Sequence, residues 1–535
     1  MPTTRPEDAP ASPPEPAAAP PTATAPRLGL IMVSLVLALV PVQLDGLVAA
    51  TATPTIAGDL GGFDRIAWIA TAFLLTMAVG TVLAGRLGDM FGRKAMLLAA
   101  LATFFLGSLG AGLSTSMTEL VGSRAVQGLG AGMTFTTLLA VVADVVPPER
   151  RSRVMGVLGA IAPVSMIIGP WVGGVITEHL GWRWIFLLNL PLIALSVAGA
   201  AALLHLPARP RGGRVDVAGL LAVSVASSAV VLAVTWGGHQ YAWDSWQVLG
   251  AALVAVAATA VLVLVERRAE NPVLPPSLFR NRAVVASFVV VALGTGAVLL
   301  GTMNFLPLYL QLVQGRSASS SGLLLLPMLL PAIGTAVATG AWTSRPERFR
   351  TAMVAGTALL AVGSALMATM DAGTSAWTTA AFMAVGGVGV GLLFQTPTVL
   401  VQNSAAADEV GAATGAAGFM RMIGGAVGVG AFGALFSSTL SGYVADHAST
   451  GTTTGGLDVT ALTPDEVTGL PAAVRSLVEG AVVAGTSALF WAAAAAALVA
   501  VLAAVAVPRV RRDAGTDPDG PAADQVLRAD VPAGA

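Results

Sequence analysis

The stretch GRLGDMFGRK, residues 85–94, places a short polar run between two long apolar segments of the chain. Its glycines allow two helices to approach closely at a tight turn. Asp89 can cap a helix or accept hydrogen bonds from an arginine, and Arg93 and Lys94 are suited to a membrane interface. The pattern predicts a helix, a turn and a second helix, and by itself it is compatible with a plain basic turn between two membrane spans.

The composition around this stretch is that of a membrane protein. Of 535 residues, 55% are hydrophobic and only 11% are charged, less than half of the ~25% that is usual in soluble proteins. Membrane spans other than closed barrels must be helices, because an open strand edge cannot satisfy its backbone groups in lipid. We therefore predict an all-α polytopic membrane protein.

The same composition argues against several classes of function. A net charge of −1, with basic residues in short scattered clusters, predicts no nucleic-acid partner. The absence of cysteine removes disulfides, thiolate metal sites and cysteine nucleophiles. The four histidines lie far apart in sequence, so we expect no metal site and no cofactor.

A span needs about 20 mainly apolar residues to cross about 30 Å of hydrocarbon. By this measure we predict fourteen spans, which begin near residues 28, 67, 95, 120, 154, 184, 217, 248, 284, 323, 351, 377, 411 and 481. Most of the 28 lysines and arginines fall in the tails and in the loops after even-numbered spans, and only Arg65, Arg183, Arg316 and Arg475 fall in the other loops. The positive-inside rule then predicts that both termini are cytoplasmic, and we expect the protein to lie in the plasma membrane.

The chain also repeats itself. The segment from Gly156 aligns with the segment from Gly411, and the same offset aligns Gly85 with Gly340. One register that serves two distant segments predicts two pseudo-symmetric six-helix bundles plus an inserted helix pair. The predicted parts are a disordered tail (1–27), the first bundle (28–206), the inserted pair with its loops (207–282), the second bundle (283–508) with an outer loop (441–480), and a disordered tail (509–535).

Asp45 is an acid inside the first apolar segment, in VQLDGLVAATATP. An ionised carboxylate in hydrocarbon is costly, so it predicts a functional site with a partner. Arg124, in LVGSRAVQGLGAG of the fourth segment, lies about 10 Å below the outer surface at 1.5 Å per residue, a depth that overlaps that of Asp45. The alternative interpretation is that Arg124 extends to the interface. The repeat-equivalent of Asp45 is Leu300, so the acid has no counterpart in the second half.

With these motifs in place, the chain resembles the major facilitator superfamily. Its G-x-L-x-D-x-x-G-R-K signature is matched by Gly85, Asp89, Gly92, Arg93 and Lys94. The resemblance implies that this loop is a latch between the two halves in one access state. Ser344 stands where Asp89 would repeat, so we expect the latch to be one-sided.

Two further motifs carry the resemblance into spans 4 and 5. Arg124, Gln127 and Gly128 match R-x-x-Q-G, whose arginine the family associates with proton coupling. The antiporter motif G-P-x-x-G-G is matched by Gly169, Pro170, Gly173 and Gly174. Its small residues permit close helix crossing and its proline permits a bend. The resemblance implies export coupled to an incoming ion.

The stretches GWRWIFLLNLP (181–191) and FLPLYLQLVQG (305–315), with LDGLVAATATPTIAGDLGG around Asp45, resemble the fourteen-helix drug:proton antiporter branch. Ala50 stands where that branch often has asparagine, a minor departure. Arg421 is the remaining base inside a span. It either hydrogen-bonds the free carbonyls of a broken helix or attracts an anionic group of a substrate. Candidates for a substrate cavity, by position alone, are Arg421, Tyr309, Gln311, Phe305 and Gln395, together with Phe394, and each is equally compatible with helix packing.

We therefore predict a monomeric exporter of small lipophilic or cationic compounds, such as drugs and antibiotics, which works by alternating access, with protons and the lipid bilayer as its other partners. A dedicated exporter of one cellular product, such as an antibiotic, a siderophore or an amino acid, is the alternative within this class. A membrane enzyme would need a nucleophile or a metal cluster, and Asp144, Glu266 and Glu409 have no evident partners in the sequence. A membrane sensor would carry a soluble output domain, and neither tail is long enough.

Overall fold

The computed structural model describes residues 25–60, 66–204, 206, 216–237, 241–269, 272–315, 325–345, 347–406, 409–447 and 470–508. The predicted C-terminal tail lies outside these residues. Of the predicted N-terminal tail, only residues 25–27 are described, and they already belong to the first helix.

The described residues form a series of helices between Ala25 and Val505. The first half contains α1 (Ala25–Leu60), α2 (Ile66–Phe91), α3 (Arg93–Leu113), α4 (Met117–Val145), α5 (Pro148–His179), α6 (Arg183–Leu187) and α7 (Asn189–Leu203). The inserted pair consists of α8 (Val217–Trp236) and α9 (Trp246–Glu266).

The second half starts with the short α10 (Pro276–Arg280) and α11 (Arg282–Val290), followed by a π-helical segment (Val291–Val298). Its other helices are α12 (Leu299–Leu312), α13 (Leu326–Trp342), α14 (Arg348–Ala368), α15 (Ala376–Leu393), α16 (Thr396–Ser404), α17 (Val410–His447) and α18 (Ala472–Val505).

Within the described residues, twelve helical segments are long and apolar enough to cross a membrane. A thirteenth, α5, is bent by 52° between its Arg150–Met166 and Trp171–His179 parts, and α13 is a shorter apolar helix of 17 residues. The all-α polytopic class is confirmed. The count of fourteen stays a prediction, because it requires both the bent helix and the short helix to span.

Glycines set the packing of the first half. A Cβ on Gly128 or Gly132 of α4 would collide with a backbone carbonyl of α2, and a Cβ on Gly130 would collide with the backbone of α3 at Phe104. Only glycine permits backbones to approach this closely. This approach places the polar face of α4, which carries Arg124 and Gln127, in the middle of the bundle.

The two halves meet at the end of the molecule that carries Arg86, Arg93, Arg151 and Arg348, which we name the basic end. Gly85 of α2 lies against Gly411 of α17, and Gly156 of α5 lies against Gly340 of α13. The hydrogen bonds found between the halves in the described residues also lie toward this end, and include Ser152 to the Thr343 carbonyl (3.1 Å). The molecule is therefore closed at its basic end.

The predicted outer loop is shorter than 441–480 at both ends. Helix α17 continues through His447, and α18 already begins at Ala472, where Arg475 and Glu479 form an i,i+4 ion pair of 3.6 Å that suits the first turns of a helix. The sequence did not predict these helix extensions, because polar residues at the end of a helix resemble the composition of a loop. Residues 448–469 lie outside the described part of the chain.

Candidate functional site

Asp45 and Arg124 form a direct ion pair in the interior of the first half. The Arg124 Nη1 atom donates to Asp45 Oδ2, and both residues are almost fully buried, at 2% and 1% exposure. Asp45 comes from α1 and Arg124 from α4, so the pair joins two helices that are distant in sequence. In a low-dielectric interior such a pair is stable only with further hydrogen bonds to its remaining oxygens and protons.

Those further hydrogen bonds are present. Gln127, one turn after Arg124, accepts from Arg124 Nη1 through Oε1 (2.7 Å) and donates through Nε2 to Asp45 Oδ1 (2.8 Å) and to Ser108 Oγ of α3 (2.8 Å). Asn189 of α7 donates to the same Asp45 oxygen (3.2 Å). The Asp45 carboxylate thus receives three donors, and Gln127 contacts both charged partners.

Arg124 also has partners that do not depend on Asp45. Its Nε donates to the Ile69 carbonyl of α2 (3.2 Å). Its guanidinium lies 4.2 Å from the ring centroid of Phe73 and 5.7 Å from that of Phe186, within range of cation–π attraction. These contacts keep the arginine in place whether or not the carboxylate carries a charge.

Sequence reasoning identified Asp45, Arg124 and Gln127 but missed Ser108 and Asn189. Asn189 lies in GWRWIFLLNLP, a stretch that indicated only the family resemblance, although an amide at the start of an apolar segment was a usable signal. Ser108 carried none, since a serine in a span usually bonds its own helix.

Asp89 links the two halves at the basic end. Its carboxylate accepts the backbone amides of Gly411 (3.2 Å) and Ala412 (2.9 Å), which belong to the first turn of α17. An acid at this position accepts hydrogen bonds from free backbone amides, and its negative charge interacts favourably with the positive end of the helix dipole. The first half therefore caps a helix of the second half.

Arg93 holds Asp89 in place. It bonds Asp89 (3.1 Å), Asp144 (2.6 Å) and the Ala140 carbonyl (2.8 Å), so it ties the start of α3 to α4. Gly92 has φ 93°, a left-handed conformation that favours glycine and lets the chain turn between α2 and α3. Lys94 donates to the Ala201 carbonyl (2.6 Å) at the end of α7.

The second half lacks an equivalent acid. Ser344 donates to the Ala341 carbonyl (2.9 Å), a bond within its own turn. Near the start of α5, Arg151 instead donates to Asn403 Oδ1 (2.6 Å) at the end of α16. The Asp89 contact has no acidic counterpart among the described residues of the second half.

The antiporter motif lies on α5 against α1, the helix that carries Asp45. A Cβ on Gly169 would stand 2.8 Å from Cβ of Leu47, two residues after Asp45, so the glycine brings α5 close to α1. The bend of α5 falls between Met166 and Trp171, a stretch that includes Pro170, which has no amide hydrogen for the helix ladder. Gly173 is buried, and a Cβ on Gly174 would meet nothing within 4 Å.

Arg421 caps a broken helix. Its Nη2 donates to the Phe394 carbonyl (3.0 Å) and contacts Thr398 Oγ1 (3.4 Å), at the break between α15 and α16. This is the first of the two interpretations drawn from the sequence. The Arg421 side chain is half-buried and its Nε has no hydrogen-bond partner in the described structure.

Of the other cavity candidates, Phe394 contacts Arg421, whose guanidinium lies 5.3 Å from its ring centroid, whereas Tyr309 and Phe305 have other partners. Tyr309 is fully buried and its hydroxyl donates to the Asp371 carbonyl (2.8 Å), while Phe305 packs against Phe436 with ring centroids 5.5 Å apart. Both lie in the apolar core of the second half, as the helix-packing alternative requires. Gln311 is half-buried. Gln395 is buried and faces Gly159 of the first half, 2.9 Å from where a Cβ would stand.

At the end opposite the basic end, Asp59 bonds Trp182 Nε1 (2.9 Å) and Arg183 (3.0 Å). The Trp182 hydrogen bond, and then the Arg183 guanidinium, lower the pKa of the Asp59 carboxyl below its usual value. The carboxyl is exposed, so this group is a useful surface reference for the buried acids.

Comparisons with known proteins agree with this architecture. The family model described as Major Facilitator Superfamily matches residues 35–429. An MFS-type transporter of Mycobacterium tuberculosis is 38% identical over 77% of this chain and 60% of its own length. The chain thus spans somewhat under two thirds of that relative. The multidrug transporter protein MdtP of Bacillus subtilis is 33% identical over 78% of this chain and 77% of its own length.

Solved structures show the same fold at low sequence identity. The human organic anion transporter MFSD10 superposes with a TM-score of 0.59 over 91% of this chain and 100% of its own, at 16% identity. The proton:xylose symporter XylE gives 0.60 over 89% and 95%, at 13% identity. These relatives and structural neighbours are named as transporters rather than enzymes. The family match over most of the chain confirms the prediction from the motifs, and the chain belongs to the major facilitator superfamily.

Proposed function

We propose that this protein exports small lipophilic or cationic molecules across the plasma membrane, driven by protons, as a member of the drug:proton antiporter branch. The observation that carries the proposal is the buried Asp45–Arg124 ion pair, in which Gln127 is hydrogen-bonded to both charged residues. It supports one protonatable acid held beside a fixed cation. Both termini would be cytoplasmic, and the basic end would be the cytoplasmic end.

The geometry suggests how a proton would act. Protonation of Asp45 removes its negative charge and weakens its attraction to Arg124. Arg124 would keep the Gln127 oxygen, the Ile69 carbonyl and the rings of Phe73 and Phe186. These remaining contacts would lower, but not remove, the cost of leaving the arginine without its counter-ion, and so would favour a pair that can switch.

The contacts between the halves suggest which state the molecule occupies. With the basic end closed by Asp89 on α17 and by Gly156 against Gly340, a cytoplasmic basic end would make this an outward-facing state. In that state Asp45 would exchange protons with the outside. Release to the cytoplasm would require Asp89 to leave α17 and the halves to re-orient.

An efflux assay in inverted membrane vesicles tests the coupling. Asp45→Asn should abolish proton-driven uptake of several unrelated fluorescent lipophilic compounds into the vesicles while the purified protein stays folded. The matched control is Asp59→Asn, which changes an exposed acid of the same helix and should leave transport unchanged. Undiminished proton-driven transport by Asp45→Asn would overturn the proposal.

A dedicated exporter of one cellular product is the second candidate. It is favoured by relatives that share about 29% identity and include an Acurin A biosynthesis cluster transporter of Aspergillus aculeatus and an efflux pump of Gibberella moniliformis. In the same vesicle assay this candidate predicts transport of one compound family with no competition from unrelated lipophilic compounds.

A further inference from the structure

Two acids lie beside each other where the inserted helix pair meets α2. Asp216 is the N-cap of α8, and its Oδ1 accepts the amide of Gly219 (2.8 Å). Glu266 ends α9, and its Oε2 accepts the amide of Leu274 (3.2 Å). A Cβ on Gly219 would collide with Asp216 Oδ2 and lie 3.0 Å from Glu266 Oε1. The second oxygens of both carboxylates therefore border the same small space.

Neither of these second oxygens has a hydrogen-bond partner among the described residues, although both atoms are buried. Glu266 as a whole is only 6% exposed. The neighbouring side chains of Leu262, Val273 and Leu274 belong to an apolar cluster that also includes Val82 of α2. A buried oxygen without a donor is costly, and two of them at one place require an explanation.

Among the residues that the structure describes, the charges around the pair do not balance two carboxylates. Helix α2 contributes Arg86, whose charge acts on Glu266, as does the negative charge of Asp216. Other charged groups on the elements packed here include Asp89 of α2, Arg421 of α17, Arg267 and Arg268, which follow α9, and Glu409 before α17, which already accepts a hydrogen bond from Ser277 (3.0 Å). One nearby guanidinium can balance one buried carboxylate but not two.

We propose that Asp216 and Glu266 form a second proton-binding site, in which the two carboxylates share one proton at the junction of the inserted pair with α2. A proton between the two free oxygens turns one carboxyl into a donor and the other into its acceptor, so both atoms gain a partner. Two carboxylates that cannot both ionise commonly resolve their repulsion in this way. The other neighbours of the pair are amide and guanidinium donors, which suit a shared negative charge rather than a metal cation.

The site lies close to the contact that closes the basic end. Arg86 is one helical turn before Asp89 on α2. Loss of the shared proton would add a negative charge beside Arg86 and so change the electrostatic environment of that turn. The electrostatic environment of α2 would then depend on the pH at the basic end through these two acids, independently of Asp45.

Infrared spectroscopy of purified, full-length protein tests the proposal without any transport measurement. We would use an Asp45→Asn background, so that the Asp45 carboxyl does not contribute and failure of the coupling model does not affect the result. At neutral pH this protein should show a carboxylic acid band that shifts in deuterium oxide and is lost on alkalinisation.

Adding either Asp216→Asn or Glu266→Gln should remove that band, because each leaves one carboxylate that Arg86 can balance. Asp216→Asn is the deciding variant, because loss of the band with Glu266→Gln alone would also fit a lone protonated Glu266, and Asp216→Ser, which keeps an N-cap oxygen, replaces it if it fails to fold. Adding Asp59→Asn, which alters an exposed acid, should leave the band unchanged. A band that is absent from the background protein, that persists in both variants, or that disappears only with Glu266→Gln would overturn the shared site.

Discussion

The Asp45 carboxyl is accommodated among apolar helices because side chains from two other helices converge on its two oxygens. Arg124, Gln127 and Asn189 all donate to it, and Gln127 is itself held by Ser108 of a third helix. The arrangement is a buried polar network whose charged members all have partners, and such networks are costly to break in part but less costly to remove as a whole.

A double substitution separates these two costs. Arg124→Gln alone leaves a buried acid without its counter-ion and should destabilise the protein by about 3–5 kcal/mol at a pH where Asp45 is ionised. Adding Asp45→Asn should recover most of this loss without recovering proton-driven transport. Thermal unfolding in detergent measures the first effect and the vesicle assay the second. Equal melting temperatures for the single and double variants would contradict the network interpretation.

Depths counted from the sequence placed Asp45 and Arg124 at overlapping levels, because each helical residue adds the same rise and both can be counted from the same surface, and the family resemblance indicated the same arginine. The same counting could not find Ser108 or Asn189. Whether a serine or an asparagine faces the bundle or the lipid depends on helix rotation, which apolar spans do not reveal when they are hydrophobic all round. It also could not pair Glu266 with Asp216, because a whole apolar helix hairpin separates them in the chain.

At the scale of the elements, close helix contacts depend on glycines. Helix α4 contains one glycine in such a contact and another that is in none, so the two can be compared. On α4 a Cβ at Gly128 would collide with the Phe73 carbonyl and with Thr76, whereas a Cβ at Gly122 would meet nothing within 4 Å. The same residue type thus has a packing role at one position and none at the other.

We expect Gly128→Ala to destabilise the protein by about 1–3 kcal/mol, because the added methyl must push α2 away from α4. Gly122→Ala should be neutral or slightly stabilising, since alanine favours helix by up to about 1 kcal/mol over glycine. Thermal unfolding of both variants in the same detergent decides the matter, and equal destabilisation would mean that α2 and α4 are less tightly packed than the structure shows.

The Asp89 cap makes a second prediction at this scale. Asp89→Ala removes both the acceptor and the charge at the start of α17 and should weaken closure of the basic end by about 0.5–2 kcal/mol, whereas Asp89→Asn keeps an acceptor and should weaken it less. Because the chain has no native cysteine, spin labels on Phe91→Cys and Glu347→Cys can measure the distance between the halves. A distance distribution identical in all three proteins would contradict a role in closure.

At the scale of the whole molecule, the repeat predicted two halves, and the structure shows that they meet through matched helices, α2 with α17 and α5 with α13. Gly85 aligns with Gly340 and Gly156 with Gly411, so exchanging the two halves turns the Gly85–Gly411 contact into the Gly340–Gly156 contact. The sequence could not show which end is closed, because closure depends on state and not on composition.

Locking the closed end should stop the cycle. Ser152 and Thr343 are neighbours across the halves, and a disulfide or short thiol cross-link between cysteines at these positions should abolish transport until a reductant is added. Each single cysteine variant is the control and should stay active under oxidation. Transport that persists in the fully cross-linked protein would show that the halves need not separate here.

The Asp89 cap also makes the opening of the basic end measurable in time. The amides of Gly411 and Ala412 are protected from water only while an acid of the opposite half accepts them. They can therefore exchange hydrogen for deuterium only while the basic end is open, while amides deeper in α17 stay protected by their own helix. The exchange rate of this one turn, measured with the lipid and substrate present, reports the opening rate when closing is slow and the fraction of open molecules when closing is fast.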